Sequence, residues 1–208
     1  MPRTARIVDP SGGTYHITCR GNNRKPVFKD RRDFSTYIHM LRELKRRYGF
    51  RLLHYVLMTN HVHLIVQPKS GFDLRHVMKS LNQGYSLHWK RRYGHIGHLW
   101  QDRYKSPIIG TDAHLLTAGI YVELNPVRAG MTISADTYEW SSHMKYAYDH
   151  ANALVDLSPV YINLSTTDIG RQEAYRALTA MWRAMPKPGK GTVPGLARQG
   201  TVPLGKVK

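Results

Sequence analysis

The pattern of hydrophobic and polar positions predicts a strand and then a helix at the start of the chain. Residues 14–20 are strand-forming, and the turn residues of 21–24 end this first strand. Over residues 30–48 the hydrophobic side chains recur at helical spacing, and Gly49 follows as a helix-stopping residue. The sequence therefore predicts one helix from Asp30 to Tyr48.

A hairpin and a second helix are predicted next. Residues 50–58 and 61–67 are rich in strand formers, and Thr59-Asn60 between them is typical of a tight turn. Residues 74–93 return to helical spacing. The positions of that helix expected to be buried in the core are Leu74, Val77, Met78, Leu81, Tyr85 and Trp89.

Residues 99–109 are typical of an extended segment that leads into another helix. Thr111-Asp112 offers an N-cap for a helix from Ala113 to Leu124. Asn125-Pro126 is expected to close that helix, because the residue before a proline is disfavoured in helical geometry. Residues 127–130 should then leave the helix.

The remaining segments predict one main domain with additions at its C-terminal end. Residues 138–142 are expected to pack back on the main domain, and a short helix is expected over 171–185. We therefore divide the chain into a main domain at 1–150, a helical extension at 151–185 and a flexible basic tail at 186–208.

The charge of the chain indicates a polyanionic partner. Lysine and arginine number 31 against 14 acidic residues, a formal net charge of +17, and such an excess points first to nucleic acid. An anionic membrane surface is the alternative, but no long apolar segment and no secretory leader are visible. We expect a soluble protein of the cytoplasm, associated with the nucleoid.

The preferred nucleic-acid surface is the stretch 74–101, which contains no acidic residue. A solvated protein surface normally mixes charges of both signs. Four histidines in this part of the chain have no clear partner at ligand spacing on a regular element and are interpreted as surface or packing residues: His76, His88, His95 and His98. The single cysteine, Cys19, is interpreted as a small buried residue of the first strand.

Individual DNA contacts are expected from basic, amide and aromatic side chains. The basic candidates for phosphate contacts are Arg3, Arg6, Arg20, Arg24, Lys25, Lys79, Arg91, Arg92, Arg103 and Lys105. The amide candidates for base contacts are Asn22, Asn23 and Gln83. The aromatic candidates for stacking are Tyr15, Tyr85 and Trp100, for each of which core packing is an equal alternative.

Two pairs of residues are candidates for a catalytic or metal-binding role. Alternate side chains of a strand point to one face, so His61 and His63 present two imidazoles side by side. Taken alone, such a pair also fits two packed core histidines. Tyr121 and Asn125 are four apart on the predicted helix, so a phenol and an amide share its face at the C-terminal end.

Together these residue types suit cleavage of a DNA phosphodiester. A tyrosine oxygen is a possible nucleophile, and a metal ion held by His61, His63 and the Asn125 carbonyl would polarise the phosphate. This donor set suits Mg²⁺ or Mn²⁺ beside a phosphate, although imidazoles also bind Zn²⁺ or Ni²⁺. Tyr104, beside two basic residues, is a rival nucleophile, but only Tyr121 has an oxygen ligand one helical turn away.

The same residues resemble a known family. His61-Val62-His63 looks like the HUH motif (U being a bulky apolar residue) of single-tyrosine transposases. The sequence Tyr-Val-Glu-Leu-Asn-Pro-Val-Arg-Ala-Gly at 121–130 resembles the tyrosine-helix signature of their REP-associated branch, and residues 100–106 and 140–142 also fit it. The likeness runs from about Gly12 to Ser142.

The resemblance implies a fold, an activity and roles for four residues. The fold is an α+β, ferredoxin-like βαββαβ core with an antiparallel sheet. The activity is nicking and rejoining of single-stranded DNA near hairpins, through a 5′-phosphotyrosyl intermediate and a free 3′-OH. By motif position, Tyr121 is the nucleophile, and His61, His63 and Asn125 are the metal ligands.

Two other functions and the oligomeric state stay open. A protein that binds DNA hairpins as a regulator without cleaving them is the first alternative. Zinc-dependent hydrolysis ranks below it, because Glu123 is the only acidic residue near Tyr121 and points away from the face that Tyr121 shares with Asn125. The family includes dimers that exchange the tyrosine helix, so the chain is expected to be a monomer or a homodimer, with Gly110-Thr111 as a possible hinge.

Overall fold

The centre of the fold is a four-stranded antiparallel sheet. A computed structural model describes residues 13–185, so the predictions for Arg3, Arg6 and the tail at 186–208 lie outside the described residues. The strands are β1 (Thr14–Arg20), β2 (Arg51–Met58), β3 (His61–Gln67) and β4 (Ile108–Ile109), in the spatial order β2-β3-β1-β4. With one helix after β1 and one after β3, this confirms the expected α+β, βαββαβ core.

Two long helices cover one face of the sheet. They are α1 (Arg31–Tyr48) and α2 (Gly71–Tyr93). Asp30, expected inside the first helix, is its N-cap and accepts a hydrogen bond from the Asp33 N–H. Gly49 ends α1 with a φ of 63°, a left-handed conformation that glycine adopts without strain. The six hydrophobic positions expected to be buried on α2 are all buried.

The two faces of β3 carry different chemistry. Val62, Leu64 and Val66 lie in the core that α1 and α2 cover. His61, His63 and Ile65 alternate with them and face the opposite side of the sheet. The hairpin register pairs Val56 of β2 with His63, so the strand pairing confirms the predicted hairpin and holds both imidazoles on a rigid element.

The segment before β4 follows the edge of β1, as the sequence predicted for an extended stretch. Backbone hydrogen bonds join Thr18 to Lys105 in both directions, at 3.0 and 2.9 Å, and an isolated bridge joins Gly21 to Trp100. Only Ile108–Ile109 is a regular strand. The edge of β1 is therefore mostly covered by an irregular chain.

The helix α3 (Asp112–Glu123) lies on the face of the sheet that carries the histidines. Thr111 caps it, since its hydroxyl accepts a hydrogen bond from the His114 N–H at 3.2 Å. Leu115, Ala118 and Val122 pack on the sheet. A Cβ on Gly119 would lie only 2.5 Å from the ring of His54, so glycine is needed where α3 crosses β2.

The prediction that the chain leaves the helix after Asn125-Pro126 is wrong by one turn. Residues Asn125–Arg128 form a further helical turn, α4, whose N–H groups from Arg128 and Ala129 reach back to the carbonyls of Leu124 and Asn125. Pro126 occupies the first turn, where its missing N–H leaves no helical hydrogen bond unmade. Proline here starts a helical turn rather than ending one.

The C-terminal part adds a second layer over α3. It contains α5 (His143–Tyr148), α6 (Pro159–Ile162) and α7 (Asp168–Ala184). Residues 138–142 pack back as predicted, with the Leu57 N–H donating to the Trp140 carbonyl at 2.9 Å. Tyr175 of α7 is fully buried in the same core as the strands. The expected division of the chain at residue 150 stays a prediction. No helix within residues 13–185 is both long and apolar enough to cross a membrane.

Candidate active site

The histidine pair faces the tyrosine helix. The ring centroids of His61 and His63 are 5.0 Å apart, and the planes are nearly perpendicular. The ring centroid of Tyr121 lies 6.5 Å from that of His63, again at a right angle. The fold therefore brings together three of the four residues that the motifs indicated, although 58 positions separate Tyr121 from His63.

Both imidazoles are neutral in this environment. Burial lowers the pKa of His61 to about 4, and the charge of Arg20, which lies opposite in the β1–β3 register, adds to the effect. Burial also lowers the pKa of His63 well below its usual value, as do its neighbours His16, His61 and Arg20. The neutral ring is the form of histidine that binds a metal ion.

Each histidine of the pair has a hydrogen-bond partner on Nδ1 that the sequence interpretation missed. Nε2 of His16 lies 2.8 Å from Nδ1 of His63, and the hydroxyl of Thr18 lies 3.3 Å from the same atom. Oδ1 of Asn60 lies 2.6 Å from Nδ1 of His61. The alternation of His16, Thr18 and Arg20 along β1 was the available signal for His16, but only the strand register places it beside His63.

Asn125 has its amide fixed by the helix that precedes it. Its Nδ2 donates to the carbonyls of Tyr121 at 2.9 Å and of Val122 at 3.2 Å, which leaves Oδ1 as the free acceptor. Among residues 13–185, no group of three or more His, Cys, Asp or Glu side chains is spaced to hold a metal ion. Two neutral imidazoles and an amide oxygen are donors that suit a divalent ion, and the role of Asn125 as the third ligand stays a prediction.

A cation lies against the candidate nucleophile. The guanidinium of Arg128 is 5.3 Å from the ring centroid of Tyr121, and its Nη2 donates to the carbonyl of Trp182 at 3.2 Å. Its Nη1 is buried and has no hydrogen-bond partner within the described part of the chain.

The rival nucleophile Tyr104 is 7% exposed and belongs to the core on the opposite face of the sheet.

Glu123 faces away from Tyr121, as the sequence predicted, and is the centre of a buried polar cluster. Its Oε1 accepts hydrogen bonds from His54 Nδ1 at 2.9 Å and from the Ser142 hydroxyl at 2.6 Å. Its Oε2 accepts from His143 Nδ1 at 3.0 Å and from the Tyr175 hydroxyl at 2.8 Å. We call these five residues the Glu123 cluster. It joins α3 to β2, α5 and α7.

The Glu123 cluster contains a charged pair. Both ring nitrogens of His143 donate to carboxylates, Nδ1 to Glu123 and Nε2 to Asp136 at 3.0 Å, which requires an imidazolium. Burial alone would lower the pKa of His143, but the two carboxylates raise it. Burial alone would raise the pKa of Glu123, but its bonds to His143 and His54 outweigh burial and lower it to about 2.

Four of the candidate DNA contacts, Lys79, Gln83, Trp100 and Arg103, meet at one groove. A groove of about 830 Å³ runs between α2 and residues 97–104. Its polar and aromatic lining includes Arg75, Lys79, Asn82, Gln83, Trp100, Asp102 and Arg103. Of the three aromatic candidates, Tyr15 and Tyr85 are fully buried in the core, so Trp100 alone of these lines the groove.

The other candidate contacts are dispersed. Asn22 to Lys25 form the turn after β1, which includes a short 3-10 helix at Asn22–Arg24, and Arg20 lies at the strand end beside His61. Arg91 and Lys105 are exposed. Arg92 is instead held in ion pairs with Asp33 at 2.6 Å and with Asp30 at 2.5 Å, which tie α2 to α1. Its charge is compensated within the fold.

The fold and the site define an α+β protein whose central sheet holds a histidine pair beside a tyrosine-bearing helix. Residues 11–125, more than half of the chain, match the model for IS200-like transposases, and the chain belongs to that family. This confirms the family that the motifs indicated.

The chain is also similar to solved structures. A REP-associated tyrosine transposase bound to a REP hairpin has 21% sequence identity and a TM-score of 0.57, over 76% of this chain and 96% of that chain. A candidate transposase from Deinococcus radiodurans R1 has 18% identity and a TM-score of 0.41, over 55% of this chain and 91% of that chain. No curated protein matches the chain. The first of these likenesses supports the fold.

Proposed function

We propose that this protein cleaves and rejoins single-stranded DNA beside hairpins, with Tyr121 as the nucleophile and Mg²⁺ or Mn²⁺ as the cofactor. The observation that carries the proposal is the position of Tyr121. In a chain of the IS200-like transposase family, α3 holds the ring of Tyr121 6.5 Å from that of His63, on the face that also presents His61. A nucleophile and a metal-binding pair at one place are what the reaction needs.

In the proposed reaction the phenol of Tyr121 gives up its proton to water, and its oxygen attacks the phosphorus of one phosphodiester and forms a 5′-phosphotyrosine bond. The bond from phosphorus to the 3′ oxygen breaks, and that oxygen takes up a proton and leaves as a free 3′-OH. Attack by a 3′-OH on the phosphotyrosine reverses these changes and rejoins the strand. His61, His63 and Oδ1 of Asn125 would hold the metal ion, which supplies Lewis-acid polarisation of the phosphoryl oxygens.

Arg128 supports the role of Tyr121. Its guanidinium lies 5.3 Å from the ring centroid, a cation–π contact that helps to hold the tyrosine ring in place at the end of α3. Arg128 is therefore expected to position the nucleophile in both directions of the reaction.

The groove between α2 and residues 97–104 is the proposed DNA-binding surface. Lys79 and Arg103 would contact phosphates, the Gln83 amide would contact bases, and Trp100 offers a ring for stacking. The similar REP-associated transposase is bound to a REP hairpin, which supports a hairpin as the partner here. A protein with this activity is expected in the cytoplasm at the nucleoid, as a monomer or a homodimer.

The test compares wild type, Tyr121→Phe and Tyr104→Phe on labelled single-stranded hairpins from the flanks of the gene. Each protein is incubated with Mg²⁺, Mn²⁺ or EDTA and run on a denaturing protein gel. Wild type and Tyr104→Phe should form a covalent DNA adduct that requires metal, because Tyr104 lies in the core on the other side of the sheet. Tyr121→Phe should form none.

Two results would contradict the proposal. An adduct in Tyr121→Phe would assign the nucleophile to another residue. Tight hairpin binding by wild type without any adduct, across several hairpins and both metals, would favour the regulator that binds hairpins without cleaving them.

A further inference from the structure

The amide of Asn60 determines which nitrogen of His61 carries the proton. Nδ2 of Asn60 donates to the carbonyl of Arg24 at 2.9 Å, so its Oδ1 is the end that lies 2.6 Å from Nδ1 of His61. A carbonyl oxygen only accepts hydrogen bonds, so the proton of the neutral ring must be on Nδ1. Nε2 of His61 is left with a free lone pair.

His63 has the corresponding partner on β1. Nε2 of His16 is 2.8 Å from Nδ1 of His63, and both side chains are buried, at 4% and 8% exposed. One of the two nitrogens must donate. If Nδ1 of His63 donates, its Nε2 is free to bind a metal ion, whereas donation from His16 would leave the only proton of His63 on Nε2 and prevent binding.

We propose that Asn60 and His16 are positioning residues that each accept the Nδ1 proton of one histidine of the pair and so present both Nε2 atoms to one metal ion. The inference rests on the proposed function, because it takes His61 and His63 as the metal ligands. The two partners come from different segments, the β2–β3 turn and the middle of β1. Each partner thus orients one histidine ligand through its Nδ1 atom and does not itself bind the metal ion.

The expected effect is a loss of metal affinity. Removing the hydrogen-bond partner of a metal-bound histidine typically lowers metal affinity about 10- to 100-fold. Asn60→Ala and His16→Phe should each weaken Mn²⁺ binding by a factor in this range. Asn60→Asp keeps an oxygen acceptor for Nδ1 of His61 and should retain most of the affinity. His39→Phe, at an exposed histidine of α1, is the matched control and should bind Mn²⁺ as wild type does.

The first measurement is made without metal. In full-length protein with ¹⁵N-labelled histidine, long-range ¹H–¹⁵N NMR correlations show which ring nitrogen carries the proton. His61 and His63 should both carry it on Nδ1 in wild type. Asn60→Ala should reduce this preference at His61 only, and His16→Phe at His63 only. A wild-type His61 or His63 with its proton on Nε2 would overturn the inference for that histidine and its partner.

The second measurement is a titration with Mn²⁺ followed by electron paramagnetic resonance, with circular dichroism to confirm that each variant is folded. If His61→Ala loses Mn²⁺ binding while Asn60→Ala and His16→Phe bind within twofold of wild type, the inference is wrong and the proposed metal site stands. If His61→Ala binds Mn²⁺ unchanged, both are wrong. Weakened binding in all three variants, with rescue by Asn60→Asp, supports the inference.

Discussion

Replacing Glu123 by glutamine should destabilise the fold severely. Each carboxylate oxygen accepts two hydrogen bonds, Oε1 from His54 and Ser142, and Oε2 from His143 and Tyr175. A glutamine has only one oxygen, so its NH₂ group must face two donors at the other position. The substitution also leaves the imidazolium of His143 buried with Asp136 as its one remaining carboxylate partner among residues 13–185.

The cost follows from burial and charge. Glu123 is completely buried, and breaking a buried ion pair by removing one partner typically costs about 3–5 kcal/mol. Because the pKa of Glu123 falls from 4.5 to about 2 on folding, its ionised carboxylate contributes about 3 kcal/mol to the free energy of unfolding at neutral pH. Both routes give a value that is a large part of the stability of a domain, which is about 5–15 kcal/mol.

The assay is urea unfolding of wild type, Glu123→Gln and Glu139→Gln at pH 7, followed by circular dichroism. Glu139 is the matched control, because its carboxylate is 50% exposed and pairs with Arg31 at the surface. Such a pair is worth about 0–1 kcal/mol. A loss below about 1 kcal/mol in Glu123→Gln, equal to that of the control, would refute the reasoning.

The pH dependence of the stability provides a second test of the Glu123 cluster. The folded pKa of Glu123 lies below its unfolded value, so its contribution is complete above about pH 4.5 and is lost as the pH falls towards about 2. The difference in stability between wild type and Glu123→Gln should therefore shrink over this acidic range. An unchanged difference between pH 7 and pH 3 would contradict the assignment of the charge to Glu123.

Three further predictions concern other contacts. Gly119→Ala should lower stability by about 1–3 kcal/mol in urea unfolding, because the added Cβ would meet the His54 ring at 2.5 Å; an unchanged midpoint would show that α3 can move. Lys79→Ala and Arg103→Ala should each reduce the slope of log affinity for a hairpin against log salt by about 1, and an unchanged slope would exclude a phosphate contact. The pKa of His143 is raised in the folded protein, so its contribution to folding stability should be complete below about pH 6.5 and should be lost as the pH rises through the raised value. In the same unfolding assay, His143→Gln should therefore lose less stability at high pH than at pH 6, and an equal loss at both pH values would contradict this.

The sequence alone predicted most of the local structure and named the four candidate residues of the site, although it missed the helical turn at Asn125–Arg128. Side-chain period separates strands from helices, so the β2–β3 hairpin, the buried stripe of α2 and the shared face of His61 and His63 could all be predicted from the order of residues. The motif around Tyr121 then indicated the family. These features depend on residues close together in the chain.

The tertiary structure alone decided which distant groups meet. His16 lies 47 positions from His63, and only the register of β1 against β3 places their rings in contact. The partners of Glu123 come from β2, α5 and α7, and nothing local in those segments indicates a shared carboxylate. Buried polar groups must be paired, but the sequence does not say with which partner, because that choice depends on how whole elements pack.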